Sequence, residues 1–185
     1  MASVKGVLIS SMKAFLERQY GADVVAAATK ELPPEEIALI QKRCLDATMY
    51  PYEMMIAHRH LMRLVAAKQP NAAADFGAFL ADYVFKGVYK PLLANDPAAM
   101  VSKIPWVKDF FYGDYEKVEA SMTGPSACLL IYRFEGGVRQ TRSACQGVGS
   151  FWAHTLELAG AKKVAVTHGT CVRDGANRCE FALTW

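Results

Sequence analysis

The chain reads as an α+β protein, with a helical N-terminal lobe followed by a β-β-α-β-β antiparallel-sheet lobe. Three observations predict this class. Apolar residues recur at helical spacing from the start to about residue 113. Beyond that point the period falls to two. The sequence then closes on a hairpin whose second arm sets Cys179, Phe181, Leu183 and Trp185 on one face and Glu180, Ala182 and Thr184 on the other. The predicted organisation is a single domain over residues 1–185, divided into a helical lobe (1–113) and an α/β lobe (114–185).

The elements follow in order. Val4, Val7, Leu8, Ser11, Met12 and Phe15 obey the i, i+3, i+4 rule, and Gly21 stands where a C-cap needs a residue tolerant of positive φ. Pro33-Pro34-Glu35-Glu36 opens a second long helix, because proline wastes no N–H in the first turn and carboxylates favour the positive end of the dipole. Tyr50-Pro51 breaks it and starts another helix, to about Lys68. Asn71 is the expected N-cap of the next, which carries Phe76, Gly77, Leu80, Tyr83, Val84 and Gly87 on one face. Asp96-Pro97 caps a short helix that Ile104-Pro105 is expected to interrupt. Val118, Ala120 and Met122 then alternate with Lys117, Glu119 and Ser121, Gly124-Pro125 makes a turn, and Ala127 to Phe134 reads as a strand buried on both faces. A helix from about Ser143 turns Cys145, Val148, Trp152 and Leu156 inward and ends at Gly160. In the last hairpin the inward sets of the two arms have opposite parity. A turn centred on Gly175 therefore demands a bulge, for which Gly169 is the expected place.

Composition narrows the function classes. Of 185 residues, 52% are apolar and 21% charged, with a formal net charge of +3; these are values of an ordinary globular protein. Lys and Arg are scattered, which argues against a nucleic-acid partner. The run Val7-Leu8-Ile9 is soon interrupted by Lys13, which fits neither a secretion signal nor a membrane span. Five cysteines at irregular spacing read as reduced thiols of a cytoplasmic protein.

Several groups are candidates for chemistry. His58 and His60, two apart on a helix, point away from each other and cannot share a metal ion. Ser150, His154 and Glu157 make a stripe with the residue types of a triad, but one helix face is not a set of converging elements. Gly147-Val148-Gly149 lacks the third glycine of a phosphate loop and is read as a site of close packing. Cys171 and Cys179, with His168 near, are either structural thiols or a redox or zinc pair; the seven residues between the cysteines exceed a zinc knuckle's two to four. Gly77 and Gly87 on an apolar helix face imply close contact with another helix or with an apolar ligand. Phe76, Gly77, Leu80, Tyr83 and Trp152 are the expected lining of such a pocket. The helix from Pro51 carries Met54, Met55, Ile56, Leu61, Met62, Leu64 and Val65 around more than half its circumference. This distribution predicts a dimer or a partner protein.

The opening Lys5 to Gly21, "KGVLISSMKAFLERQYG", resembles the first helix of haem-nitric-oxide/oxygen-binding (H-NOX) domains. The closing Cys171 to Phe181, "CVRDGANRCEF", is similar to the end of 4-vinyl-reductase-type domains. The layout of all 185 residues resembles a myxobacterial paralogous family of the same superfamily, whose fold the TRAPP vesicle-tethering subunits share. The H-NOX resemblance implies haem on a histidine of the helical lobe and a Tyr-x-Ser-x-Arg signature for the propionates. This sequence has no histidine between His60 and His154, and "YRFEG" (Tyr132 to Gly136) lacks the Ser and the Arg. The expectation is therefore no haem and no other cofactor, with zinc at Cys171, Cys179 and His168 as the exception. The 4-vinyl-reductase likeness implies a small-molecule sensor, and the TRAPP likeness implies dimerisation and a cavity for an acyl chain. The functional reading is a non-enzymatic ligand-binding or sensory module with an apolar pocket between helical lobe and sheet. The alternative is an interaction or scaffold module whose pocket is filled by side chains.

Overall fold

The computed structural model of the chain describes residues 2–113, 116–134 and 141–185, with the backbone alone for Arg142. Contacts divide it into two compact units, Met1–Ala72 and Ala73–Trp185. The change of period at residue 114 and the packing boundary at 72 are different things, because two long helices before residue 114 pack with elements that follow it.

The first unit joins β1 (Ser3–Lys5), α1 (Gly6–Tyr20), α2 (Ala22–Thr29), α3 (Pro34–Ile40), β2 (Met49–Pro51) and α4 (Tyr52–Val65). The free N–H groups that open α1 are met by a loop: Gly6 donates to Thr48 O at 2.8 Å and Val7 to Asp46 O at 3.1 Å. Side-chain-free Gly6 permits this approach, since a Cβ there would lie 2.2 Å from Leu45 O. β1 and β2 pair antiparallel beside this junction, Val4 opposite Tyr50. Gly21 ends α1 at φ 92°, as its position predicts. The second helix differs from expectation. The sequence around Pro34 yields only the short α3, while the Ala-rich segment before it forms α2. α4 packs against α1, α2 and α3, burying Met54, Met55, Leu61 and His58.

The second unit carries α5 (Ala72–Phe85), α6 (Pro97–Phe111), β3 (Glu116–Gly124), β4 (Ala127–Phe134), α7 (Arg142–Leu158), β5 (Ala165–His168) and β6 (Cys179–Thr184). The sheet is antiparallel in the order β3-β4-β6-β5. α6 runs unbroken through Pro105, contrary to the expected interruption. Asp96 caps it by accepting from Ala98 and Ala99 N–H at 2.9 and 3.2 Å. Val101, Ile104, Val107 and Phe111 then form a buried stripe on either side of the proline. That burial outweighs the single hydrogen bond the proline cannot make. β4 also differs: Cys128, Leu130 and Tyr132 are buried, whereas the opposite face is only half covered. On the buried face these residues pair with Leu183, Phe181 and Cys179 of β6. α7 covers this face, held close by Gly149, where a Cβ would sit 3.1 Å from Val166 Cγ1. Gly169 donates to Glu180 O and Glu180 donates to Thr170 O, so two residues face one at the expected bulge.

Candidate metal centre

Three segments of the second unit converge at one end of the sheet. Thr141 caps α7 by accepting from Ala144 N–H at 3.1 Å, and this fixes Cys145 in the helix's first turn. His168 closes β5. The bulge at Gly169 and Thr170 then turns the chain so that Cys171 opens a 3-10 turn, Val172–Asp174, which ends on Gly175 at φ 90°. Cys179 begins β6. The sulfurs of Cys171 and Cys179 are 3.8 Å apart, and those of Cys145 and Cys179 are 4.0 Å apart. With a ring nitrogen of His168 included, all four donor atoms lie within 4.8 Å of one another.

These spacings have a chemical meaning. A tetrahedral thiolate site with Zn–S near 2.3 Å has an S···S edge of about 3.8 Å. Three sulfurs and one imidazole match the Cys₃His donor set of closed structural zinc sites. The three cysteines are buried. Backbone amides address two of the sulfurs: Val172 N–H reaches Cys179 Sγ at 3.5 Å and Arg173 N–H reaches Cys171 Sγ at 3.4 Å. Such amides stabilise sulfur that carries negative charge. Without a cation the cluster resists ionisation. Burial, with Cys179 and Cys171 beside it, pushes the Cys145 thiol well above its ordinary value. Burial also raises Cys179, against the lowering effect of the Val172 amide. A divalent ion removes this penalty, because it binds the thiolates directly. The His168 ring lies flat on Phe181, 4.5 Å between centroids at 8°, which fixes its plane.

The site contains the weak sequence candidates Cys171, Cys179 and His168 and adds Cys145, which lies 34 positions before Cys179. The spacing criterion, applied to the two hairpin cysteines alone, does not see Cys145, which the fold brings to them. The signal available was His168-x2-Cys171, a ligand pair at knuckle spacing joined by a short turn. The expected pocket lining is distributed differently. A Cβ on Gly77 would lie 2.3 Å from Gly147 O, so this glycine serves the contact of α5 with α7. Phe76 and Leu80 are buried and Tyr83 is exposed. Trp152 is buried, and its Nε1–H donates to Tyr132 OH. The Ser150, His154, Glu157 stripe ties α7 to α5: Ser150 Oγ donates to Ala74 O at 2.7 Å, and His154 bridges Asp82 at 2.8 Å and Glu157 at 3.1 Å. Burial raises the Asp82 carboxyl, but hydrogen bonds from Lys86 and His154 outweigh it and leave the group below its ordinary value.

No family model and no curated protein matches the sequence. Solved structures do. An H-NOX protein from S. oneidensis in the Fe(II)NO ligation state is similar at TM-score 0.72 and 14% identity, covering 97% of each chain. A point mutant of the H-NOX protein from K. algicida, Fe(II) and unliganded, gives 0.71 and 13%, over 97% of this chain and 95% of that one. A third structure, concerned with modulating haem redox potential through porphyrin distortion, gives 0.66 and 13% over 98% and 99%. The chain has an H-NOX-type fold.

This finding corrects the expectation of no haem and no cofactor. The solved proteins of this fold are described in Fe(II) ligation states and in terms of haem redox potential, so two missing sequence signatures do not dismiss the group. His58, on α4, is the most buried histidine among the described residues. It is 2% exposed, burial lowers its pKa and keeps the ring neutral, and Nδ1–H donates to Met54 O at 2.8 Å. That tautomer puts the lone pair on Nε2. His60 is instead engaged by Glu36 at 2.7 Å, and His154 by its two carboxylates. "YRFEG" extends beyond the described residues at Glu135 and Gly136.

Proposed function

We propose that this chain is a non-enzymatic sensory module of H-NOX-type fold, stabilised by one zinc ion bound to Cys145, His168, Cys171 and Cys179. The observation that carries the metal is the pair of sulfur separations, 3.8 and 4.0 Å, in a four-donor cluster whose three cysteines are buried. The ion supplies a cross-link between α7 and the last hairpin, and it neutralises thiolates that burial otherwise disfavours. Its donor set is closed, with no position for substrate, so the ion is structural and not catalytic. The sensing role rests on the likeness to H-NOX proteins, whose solved forms carry Fe(II) and NO. Haem is the first ligand to test, with His58 as the residue whose ring is prepared for it, and an apolar small molecule or acyl chain is the second. No helix among the described residues is long and apolar enough to cross a membrane.

Elemental analysis of protein purified without chelators tests the metal, and native mass spectrometry of the same sample reads any retained ligand and the oligomeric state. The expected result is one zinc per chain, lost in Cys171→Ala. A metal-free protein that takes up no zinc when supplied would overturn the centre. Haemin titration with a His58→Ala control tests the ligand separately.

A further inference from the structure

We infer that a crevice in the first unit binds a small amphipathic carboxylic acid, an apolar chain ending in one carboxylate. The crevice has a volume of about 320 Å³ and is open to solvent, with α1, α2 and α3 around it and Leu61 of α4 at its base. That volume lies at the lower end of small-molecule sites, roughly 300–1,000 Å³. Its base is apolar: Val25, Ile40 and Leu61 are buried, and Ile37 is half-buried. The α2 side is formed by Ala22, Val25, Ala26 and Thr29, at i, i+3, i+4 and i+7 on one helix face. Seven residues of helix rise about 10.5 Å, the length of an extended chain of roughly eight carbons. Ala22 and Ala26 are exposed, and their short side chains leave the space beside α2 open.

The polar groups of the lining fix the head group. On α1, Lys13 and Glu17 pair at 3.8 Å and neutralise each other. The Thr29 hydroxyl is turned back onto Val25 O at 2.7 Å. Lys30 and Gln41 stand just past the ends of α2 and α3. Both are exposed, and among the described residues neither side chain is hydrogen-bonded or ion-paired. Glu17 is the one carboxylate of the lining among the described residues; Glu31, next to Lys30, is not part of it. One unpaired ammonium and one amide N–H₂ match a carboxylate, which has a single charge and two acceptor oxygens. A phosphate monoester, at about −1.5 to −2, exceeds the charge that Lys30 supplies, and a cationic head is repelled by it. None of these residues belongs to the metal centre, and His58 is not among them. Failure of the zinc or haem reading therefore leaves this site standing, and the reverse holds.

Titration of the full chain with octanoate, followed by two-dimensional amide NMR, tests the site. The expected result is saturable shifts centred on α2 and α3, with half-saturation at about 1 mM or below. Octan-1-ol and octylamine, which share the chain and lack the carboxylate, bind at least about fivefold more weakly. Lys30→Gln lowers the octanoate affinity by about fivefold. Ala26→Phe, at an exposed position, fills the crevice and abolishes binding, and Ala22→Leu is a second filling variant that weakens it. Unchanged circular dichroism and melting show that the variants remain folded. No saturable shift with octanoate, shifts centred outside the first unit, or equal binding of octan-1-ol overturns the inference. So does octanoate binding that neither filling variant weakens, or that Lys30→Gln leaves unchanged.

Discussion

Replacing Cys145 with alanine separates a metal-linked cluster from three packed thiols. In the metal-bound protein Cys145 ties α7 to a hairpin cysteine 34 positions away, so its loss opens a loop of that size. Chain entropy assigns such a closure about 3.7 kcal/mol at 25 °C. The substitution also removes one buried sulfur, costing about 1 kcal/mol with or without metal. Thermal unfolding of wild type and variant, each with zinc and with chelator, distinguishes the two contributions. Zinc raises the wild-type midpoint by roughly 8–15 °C more than that of the variant, at about 2–4 °C per kcal/mol for a chain of this size. In chelator the two proteins differ by only about 2–4 °C. A variant that retains one tightly bound zinc, or a wild type whose midpoint is indifferent to zinc, refutes the reasoning.

Thiol titration at pH 8 follows the same logic: the half-exposed Cys44 reacts first, Cys145, Cys171 and Cys179 react once zinc is chelated, and Cys128, which burial pushes up to about 11, reacts only on unfolding. A fast reaction of all five contradicts it. His58 gives a pH dependence of stability in metal-free protein. Its folded pKa lies below the ordinary 6.5, so the unfolded chain takes up the proton first and stability declines as pH falls below about 6.5, by at most about 1.4 kcal/mol per pH unit. Denaturant curves between pH 5 and 7 should be flatter in His58→Gln; an identical slope assigns the dependence elsewhere. Gly77→Ala drives a methyl to 2.3 Å from Gly147 O and should destabilise by about 2–3 kcal/mol through separation of α5 and α7, whereas a stability equal to wild type indicates that this contact is not tight in solution.

What the sequence reveals depends on how local the governing interactions are. The final strand was legible because Cys179, Phe181 and Leu183 pack on one face, and alternation reports that directly. The bulge at Gly169 followed from the parity of the two arms. Helix α2 was not legible: Ala22, Val24, Ala26 and Ala27 are exposed, so its sequence carries no stripe separating buried from solvated positions. The β1–β2 pair was hidden because three-residue strands show no period and their partners are far apart in the chain. Pro105 misled because a local rule was applied to a helix held by tertiary burial. In the site, His168, Cys171 and Cys179 share one hairpin and could be named. Cys145 joins them only through the placement of α7 on the sheet, which no spacing within the sequence encodes. The haem expectation failed differently, since short signatures were given the weight that belongs to the fold.

The strand order has a kinetic consequence. β4 and β6 are neighbours at the centre of the sheet, yet α7 and β5 intervene between them, and the paired residues Cys128 and Leu183 are 55 positions apart, a separation that slows folding. Until β6 arrives, the β4 edge of the β3–β4 hairpin, central in the finished sheet, is unpaired and exposed to other chains. An ion that captures Cys145 together with Cys171 and Cys179 brings the start of β6 to the N-terminal turn of α7 before any ladder forms. The remaining search is then short, and the strand can zip along β4 from Tyr132 toward Ala127. With the proposed zinc centre, metal supply during synthesis sets how long that unpaired edge persists.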